Sequence, residues 1–329
     1  MTESALISTF DAVLSDLDGV VYAGPHAIPG AVESLRRLAG VGVGLGYVTN
    51  NASRSPAQVA QHLRELGAPA EDHQVVSSSQ AAAALLASLL PAGAHVLITG
   101  SAALAQEIEL VGLVPVGSAA DNPVAVVQGF SPDLGWMDLA EASYVVAGGA
   151  LWVATNTDMS IPQARGIAPG NGTLVAAVAA ATGRTPIVAG KPEAPLFHTA
   201  AKRLAADRPL VVGDRLDTDI LGGNNAGFAT VAVLTGVDTR ESILAARSME
   251  RPDFLINDLT GLYAPYPAVE HDAGRFRSGT ASAVVRGQSV HITGDPADLD
   301  SWRAACSAWW AANPETTSAL APVLEWIDH

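Results

Sequence analysis

The sequence predicts an α/β protein with a doubly wound parallel-sheet core, an inserted α/β unit and a small C-terminal βα appendage. Three observations carry this. Short apolar runs ending in polar or acidic residues alternate with helix-period segments over residues 1–79. A second alternating series occupies 80–182, and the first pattern then resumes over 183–267. From 268 to 329 the composition changes, and four of the six tryptophans gather there.

Taken in order, Ala12-Val13-Leu14-Ser15 reads as a strand, Val32 to Leu38 as a helix, and Val43 to Val48 as a second strand. Strand, helix, strand implies parallel pairing, because the chain must cross over before the second strand. In such sheets ligands bind beyond the carboxyl ends of the strands, where Asp16, Asp18, Thr49 and Asn50 fall. A helix follows from Pro56 to Leu66, with Ser53 or Ser55 as its cap and Gly67 as its stop. The insert supplies strands at Val96 to Thr99, Val124 to Gln128, Tyr144 to Val146 and Leu151 to Thr155. The first pattern resumes with a strand at Pro186 to Val188, a helix from Ala194 to Ala205, and strands at Leu210 to Val212 and Thr230 to Leu234. In the tail, Ala281 to Ile292 reads as a hairpin around Arg286-Gly287-Gln288, followed by a helix from Asp298 to Ala312. Trp302, Trp309, Trp310 and Trp326 argue for a packed appendage, since disordered tails are poor in aromatics. The alternative reading of these rings is a homodimer contact or a regulatory surface.

Composition narrows the function. A formal net charge of −15 disfavours nucleic acid, whose phosphates call for clustered Lys and Arg. No stretch approaches the roughly 20 apolar residues of a spanning helix, so no membrane insertion is expected. Met1 to Phe10 does not read as a secretory signal, and a cytoplasmic protein is expected. The single cysteine, Cys306, reads as a small packed side chain.

The chemistry lies in four segments: Asp16-Leu17-Asp18-Gly19, Thr49-Asn50-Asn51, Gly190-Lys191-Pro192, and Gly213-Asp214-Arg215-Leu216-Asp217-Thr218-Asp219. Two aspartates at the end of a buried strand repel each other unless a cation or a proton shares their site. Oxygen ligands, with Asp214 as the third carboxylate, point to magnesium (Mg2+) rather than zinc. Asp16 is placed to attack a phosphoryl group, and Asp18 to give a proton to the leaving oxygen and then activate water. Thr49 and Asn50 offer hydroxyl, amide and backbone donors to phosphate oxygens, and Lys191 offers positive charge. Asp217 and Asp219 orient metal-bound waters or Lys191, a role that competes with helix capping. Arg54, Asn156, Asp158, Gln163, Arg165 and Asn171 are candidates for specificity, each set against an ordinary role in a solvated loop.

These segments, in this order, resemble the four motifs of the haloacid dehalogenase superfamily of phosphohydrolases. The runs Leu17 to Tyr22, Val48 to Ser53 and Gly213 to Ile220 are similar to its type IIA branch, and the similarity covers about Phe10 to Leu262. The resemblance implies a Rossmann-like catalytic core at 1–79 and 183–267, and an α/β cap at 80–182. It also implies Asp16 as nucleophile, Asp18 as acid and base, and magnesium held by Asp16, Asp214 and the backbone carbonyl of Asp18. Ala154 to Asp158 and Pro169 to Thr173 resemble cap segments facing the core. Ser131 and Trp136 depart from the branch, which commonly carries Asp and Tyr there. The extended tail resembles glycerol-3-phosphate phosphatases of bacterial phospholipid turnover. A small phosphorylated metabolite is the expected partner and glycerol 3-phosphate the expected substrate. Phosphoglycolate, a nucleoside monophosphate or a sugar phosphate is the alternative, and a phosphometabolite-sensing or scaffolding protein acting through the tail is the reading from another class.

Overall fold

A computed structural model describes residues 4–163 and 165–327 and, for 162 and 163, the backbone alone, so the Gln163 side chain lies outside the described residues. The chain divides into two compact units: Met1–Leu45 with Leu66–Pro69 and Ala206–His329, and Gly46–Glu65 with Ala70–Ala205.

In the first unit, strands Phe254–Ile256, Ala229–Val233, Pro209–Gly213 and Ala12–Ser15 lie side by side in that order, all parallel. Ala12–Ser15 and Pro209–Gly213 are buried at every residue, which is why both are continuous apolar runs and not alternating ones. Their register sets Ser15 beside Val212, so Asp16 and Asp214 leave the sheet at the same edge. Helix Ala31–Gly40 buries Val32, Leu35 and Leu38 at helical spacing, as its sequence predicts.

The tail belongs to this unit. The expected hairpin is present as Ala281–Arg286 and Ser289–Thr293, with Gly287 at φ 62° in the turn. The expected helix spans Leu299–Ala312, and the Asp298 carboxylate caps it by accepting from the Asp300 amide. Three strands were not anticipated: Glu270–Asp272 and Arg275–Ser278 extend the hairpin on one side, and Val323–Ile327 pairs in parallel on the other. One apolar cluster joins Ile220, Ile243, Leu244 and Leu255 of the parallel-sheet region to Ile292, Trp302 and Trp309 of the tail. Trp302 packs edge-on against Trp326 at 5.8 Å, and the Trp310 indole N–H donates to the Leu244 carbonyl at 3.1 Å. Packing therefore accounts for the tryptophans. Cys306 is buried in the same cluster, and burial pushes its thiol above the ordinary range.

In the second unit, Tyr47 to Thr49 at the end of strand Gly44–Thr49 pairs in parallel with Val75–Ser77. Helix Pro56–Glu65 begins as expected, with Ser55 and Gln58 exchanging hydrogen bonds at its start. A parallel five-stranded sheet runs in the order Ile187–Val188, Leu151–Ala154, Ala125–Gln128, His95–Thr99, Val114–Val116. Helices Trp136–Ala147 and Asn171–Thr182 close one face of it over Leu97, Val126 and Trp152.

Two expectations are corrected here. Tyr144 to Val146 is not a strand but the last turns of helix Trp136–Ala147, whose Val145 and Val146 are buried against the sheet. Ile187–Val188 does not resume the first sheet but joins the second one beside Val153 and Ala154. In both cases tertiary packing decides what a run of three apolar residues becomes. No helix among the described residues is long and apolar enough to cross a membrane.

Candidate active site

Three carboxylates meet in the first unit. Asp16, Asp214 and Asp219 each offer an oxygen, and these oxygens lie within 4.8 Å of one another. Asp16 is 9 % exposed, Asp214 2 % and Asp219 1 %, so the charges sit in a desolvated place. The backbone positions them. The Asp16 amide donates to the Val212 carbonyl at 2.9 Å, extending the pairing of the two strands by one residue. Asp214 follows Pro209–Gly213 directly, and its Oδ2 accepts the Val237 amide at 2.8 Å. Asp219 sits in the single turn of wide helix Leu216–Ile220, and its Oδ2 accepts the Arg215 amide at 3.2 Å.

The walls around Asp214 are glycine. A methyl group on Gly19 would lie 2.3 Å from Asp214 Oδ2, and Gly19 also takes φ +79°, so both space and conformation exclude a side chain. A methyl group on Gly236 would lie 1.9 Å from the same oxygen. An all-oxygen donor set of buried carboxylates, kept clear on two sides, fits a hard divalent cation.

Of the other predicted residues in this unit, Asp18 is exposed, and its backbone bridges to Tyr22. The Asp217 carboxylate is not one of the three that meet; it forms a two-point pair with the Arg215 guanidinium at 3.0 and 2.9 Å, on the exposed side. Asp238 was not anticipated. It accepts the Leu216 amide at 2.7 Å and so holds the Leu216–Ile220 turn. Val237, Gly236 and Asp238 follow the apolar strand Ala229–Val233, and that strand-end position was the signal available for them.

The second unit brings Asn50 and Lys191 together across 141 residues of sequence. Asn50 Oδ1 accepts the Lys191 amide at 2.7 Å, while Asn50 Nδ2 donates to the Lys191 carbonyl at 3.0 Å. Nδ2 also donates to both carboxylate oxygens of Asp158 at 3.2 Å. The Asn50 side chain is thus committed to holding Lys191, which is 4 % exposed. Thr49, 8 % exposed, uses its hydroxyl oxygen to accept the Asn51 amide at 3.1 Å, which fixes the turn after the strand. Asn156 donates to the Asn50 carbonyl at 2.8 Å, and Asn171 to the Asn156 carbonyl at 2.7 Å.

Comparison with known proteins agrees with this geometry. A family model described as haloacid dehalogenase-like hydrolase matches residues 13–114, and a second, HAD-hydrolase-like, matches 188–262. The chain is 45% identical over 310 residues to a D-glycerol 3-phosphate phosphatase of Mycobacterium tuberculosis, covering 92% of this chain and 86% of that one. It is 37% identical over 299 residues to a glycerol-3-phosphate phosphatase of Gallus gallus, covering 82% and 95%. Among solved structures, a glycerol phosphate phosphatase of Mycobacterium tuberculosis in complex with magnesium superposes with a TM-score of 0.88 at 43% identity, covering 99% of this chain and 96% of that one. By sequence, fold and the placement of its carboxylates, this chain belongs to the haloacid dehalogenase-like hydrolases.

Proposed function

We propose that the chain is a magnesium-dependent phosphoric monoester hydrolase that cleaves glycerol 3-phosphate to glycerol and phosphate through an aspartyl-phosphate on Asp16. The observation that carries this reading is the buried meeting of Asp16, Asp214 and Asp219 beyond two parallel strands. The substrate choice is supported by the 45% identical D-glycerol 3-phosphate phosphatase, whose 92% coverage reaches into the tail. Relatives named 5'-nucleotidase and acid sugar phosphatase match 79% and 71% of the chain. Glycerol 3-phosphate is therefore favoured over nucleoside monophosphates and sugar phosphates.

Asp16, Asp214 and the Asp18 carbonyl would hold magnesium, with Asp219 orienting its waters. Bound magnesium supplies the positive charge that lets these carboxylates coexist and offsets charge on the phosphoryl oxygens. Asp16 attacks phosphorus as the bond to the glycerol oxygen breaks, and Asp18 gives that oxygen its proton. Asp18, now a carboxylate, takes a proton from the water that attacks the aspartyl-phosphate; phosphate leaves and Asp16 is restored. Thr49, the Asn50 backbone and Lys191 bind phosphoryl oxygens, and Lys191 counters the charge that spreads over them. Asp217 pairs with Arg215 on the exposed side and takes no part in the steps above. Residues 1–79 and 183–267, apart from Ile187–Val188, which completes the sheet of the insert, serve as catalytic core, 80–182 as the cap that sets substrate choice, and 268–329 as a packed appendage. A single buried cysteine suits the reducing conditions of the cytoplasm, where we place the enzyme.

The test is phosphate release with magnesium from glycerol 3-phosphate, phosphoglycolate, nucleoside monophosphates and sugar phosphates. Glycerol 3-phosphate should lead in kcat/KM, and chelator should silence release until magnesium is restored. Preference for another ester would move the substrate assignment, and full activity in chelator would remove the metal from the account.

A further inference from the structure

The Asn50 amide makes a two-point pair with the backbone of one residue, giving a hydrogen to the Lys191 carbonyl and taking one from the Lys191 amide. Such a pair works in one orientation only. Turned over, the amide would set its oxygen against the Lys191 carbonyl and its NH2 against the Lys191 N–H, two like-against-like contacts. Asp158 adds a third constraint, because a carboxylate accepts hydrogen bonds and its two oxygens stand 3.2 Å from Nδ2. A hydrogen bond to an ionised acceptor is roughly twice as strong as one between neutral groups, so the charge weights this orientation.

Asp158 is itself held in place. Its amide donates to Asn156 Oδ1 at 3.2 Å, and its carbonyl accepts the Gly172 amide at 2.9 Å. Asn156 also grips the Asn50 carbonyl, so the Asn156 to Asp158 segment holds Asn50 at both its backbone and its side chain. Gly190 completes the seat: a methyl group there would lie 2.5 Å from Asn50 Oδ1 and 2.3 Å from the Thr155 carbonyl.

We infer that Asp158 is a positioning residue for Lys191, acting through the Asn50 amide; this rests on the reading of Lys191 as a phosphate-binding cation. Asp158 fixes the amide, the amide fixes the Lys191 backbone on both sides of its Cα, and that Cα is where the lysine side chain begins. A cation acting on transition-state charge is sensitive to such placement, so the effect falls on kcat more than on KM.

The experiment is a double-mutant cycle of Asp158→Asn with Lys191→Ala, read as kcat and KM with magnesium on glycerol 3-phosphate and on p-nitrophenyl phosphate, with melting temperature as the folding control. Asp158→Asn alone, which keeps a neutral acceptor toward Asn50 but loses the charge, should lower kcat about 3- to 10-fold, half the range for one hydrogen bond to a charged group. In the Lys191→Ala background it should change kcat by no more than about twofold, since its effect passes through the missing side chain. The same loss in both backgrounds, or none in either, overturns the inference while leaving Lys191 in place. A wild-type rate for Lys191→Ala instead removes Lys191 from the phosphate site and takes the inference with it.

Discussion

Gly236→Ala tests the Asp214 site without touching any charged residue. The added methyl would lie 1.9 Å from Asp214 Oδ2 and 2.4 Å from its Cγ, where ordinary contact begins near 3.4 Å. The carboxylate must therefore retreat by about 1.5 Å, the difference between those distances, and give up its 2.8 Å bond from the Val237 amide. A misplacement of about 1 Å costs on the order of a hundredfold in rate, and magnesium asks for near-ideal oxygen geometry at about 2.0–2.1 Å. We expect kcat/KM to fall about a hundredfold and the magnesium concentration for half-activity to rise. Stability should fall by about 1–3 kcal/mol, the cost of a buried carboxylate losing its Val237 amide, with the protein still folded. The assay is phosphate release across a magnesium titration, with thermal unfolding alongside. Wild-type rate and magnesium dependence in a folded Gly236→Ala protein would refute the placement of Asp214.

Two further outcomes concern stability. Trp302→Ala should lose about 3–5 kcal/mol in urea unfolding, because Trp302 is 4 % exposed within the cluster that joins tail and parallel sheet; a loss under about 1 kcal/mol would mean that the tail is not part of that core. The raised Cys306 thiol keeps its proton when folded and loses it when unfolded above its ordinary value of 9.0. Its stability contribution is full below that pH and declines as pH rises beyond it, so Cys306→Ala should flatten the alkaline fall of the urea midpoint. An identical slope in the variant would contradict this.

Much of the core was legible because its strands are buried on both faces and end in chemistry. Ala12–Ser15 and Pro209–Gly213 are unbroken apolar runs, and the aspartates that follow them are where a parallel sheet presents its ligands. The helix expected from Asp298 to Ala312 is found at Leu299–Ala312, with Asp298 as its cap and not its first residue. Tyr144 to Val146 misled because three apolar residues fit a buried strand and a helix end equally well. Glu270–Asp272 is exposed and polar throughout, and Arg275–Ser278 offers Phe276 as its one large apolar residue, too short an alternation to mark a strand. Pairings set by distant chain were out of reach: Val323–Ile327 beside Ser289–Thr293, and Asn50 on Lys191, follow from tertiary closure and from no local signal. The same holds for Gly236, an ordinary loop glycine in the sequence and a wall of the Asp214 site in the fold.

The central claim is that Asp16 is the nucleophile, and steady-state phosphate release by Asp16→Asn tests it most directly. The substitution keeps the side chain's size and removes the carboxylate. With magnesium and glycerol 3-phosphate, the account predicts a folded protein with wild-type melting behaviour and no steady turnover above background. Sustained turnover by Asp16→Asn, at any substantial fraction of the wild-type rate, would contradict it.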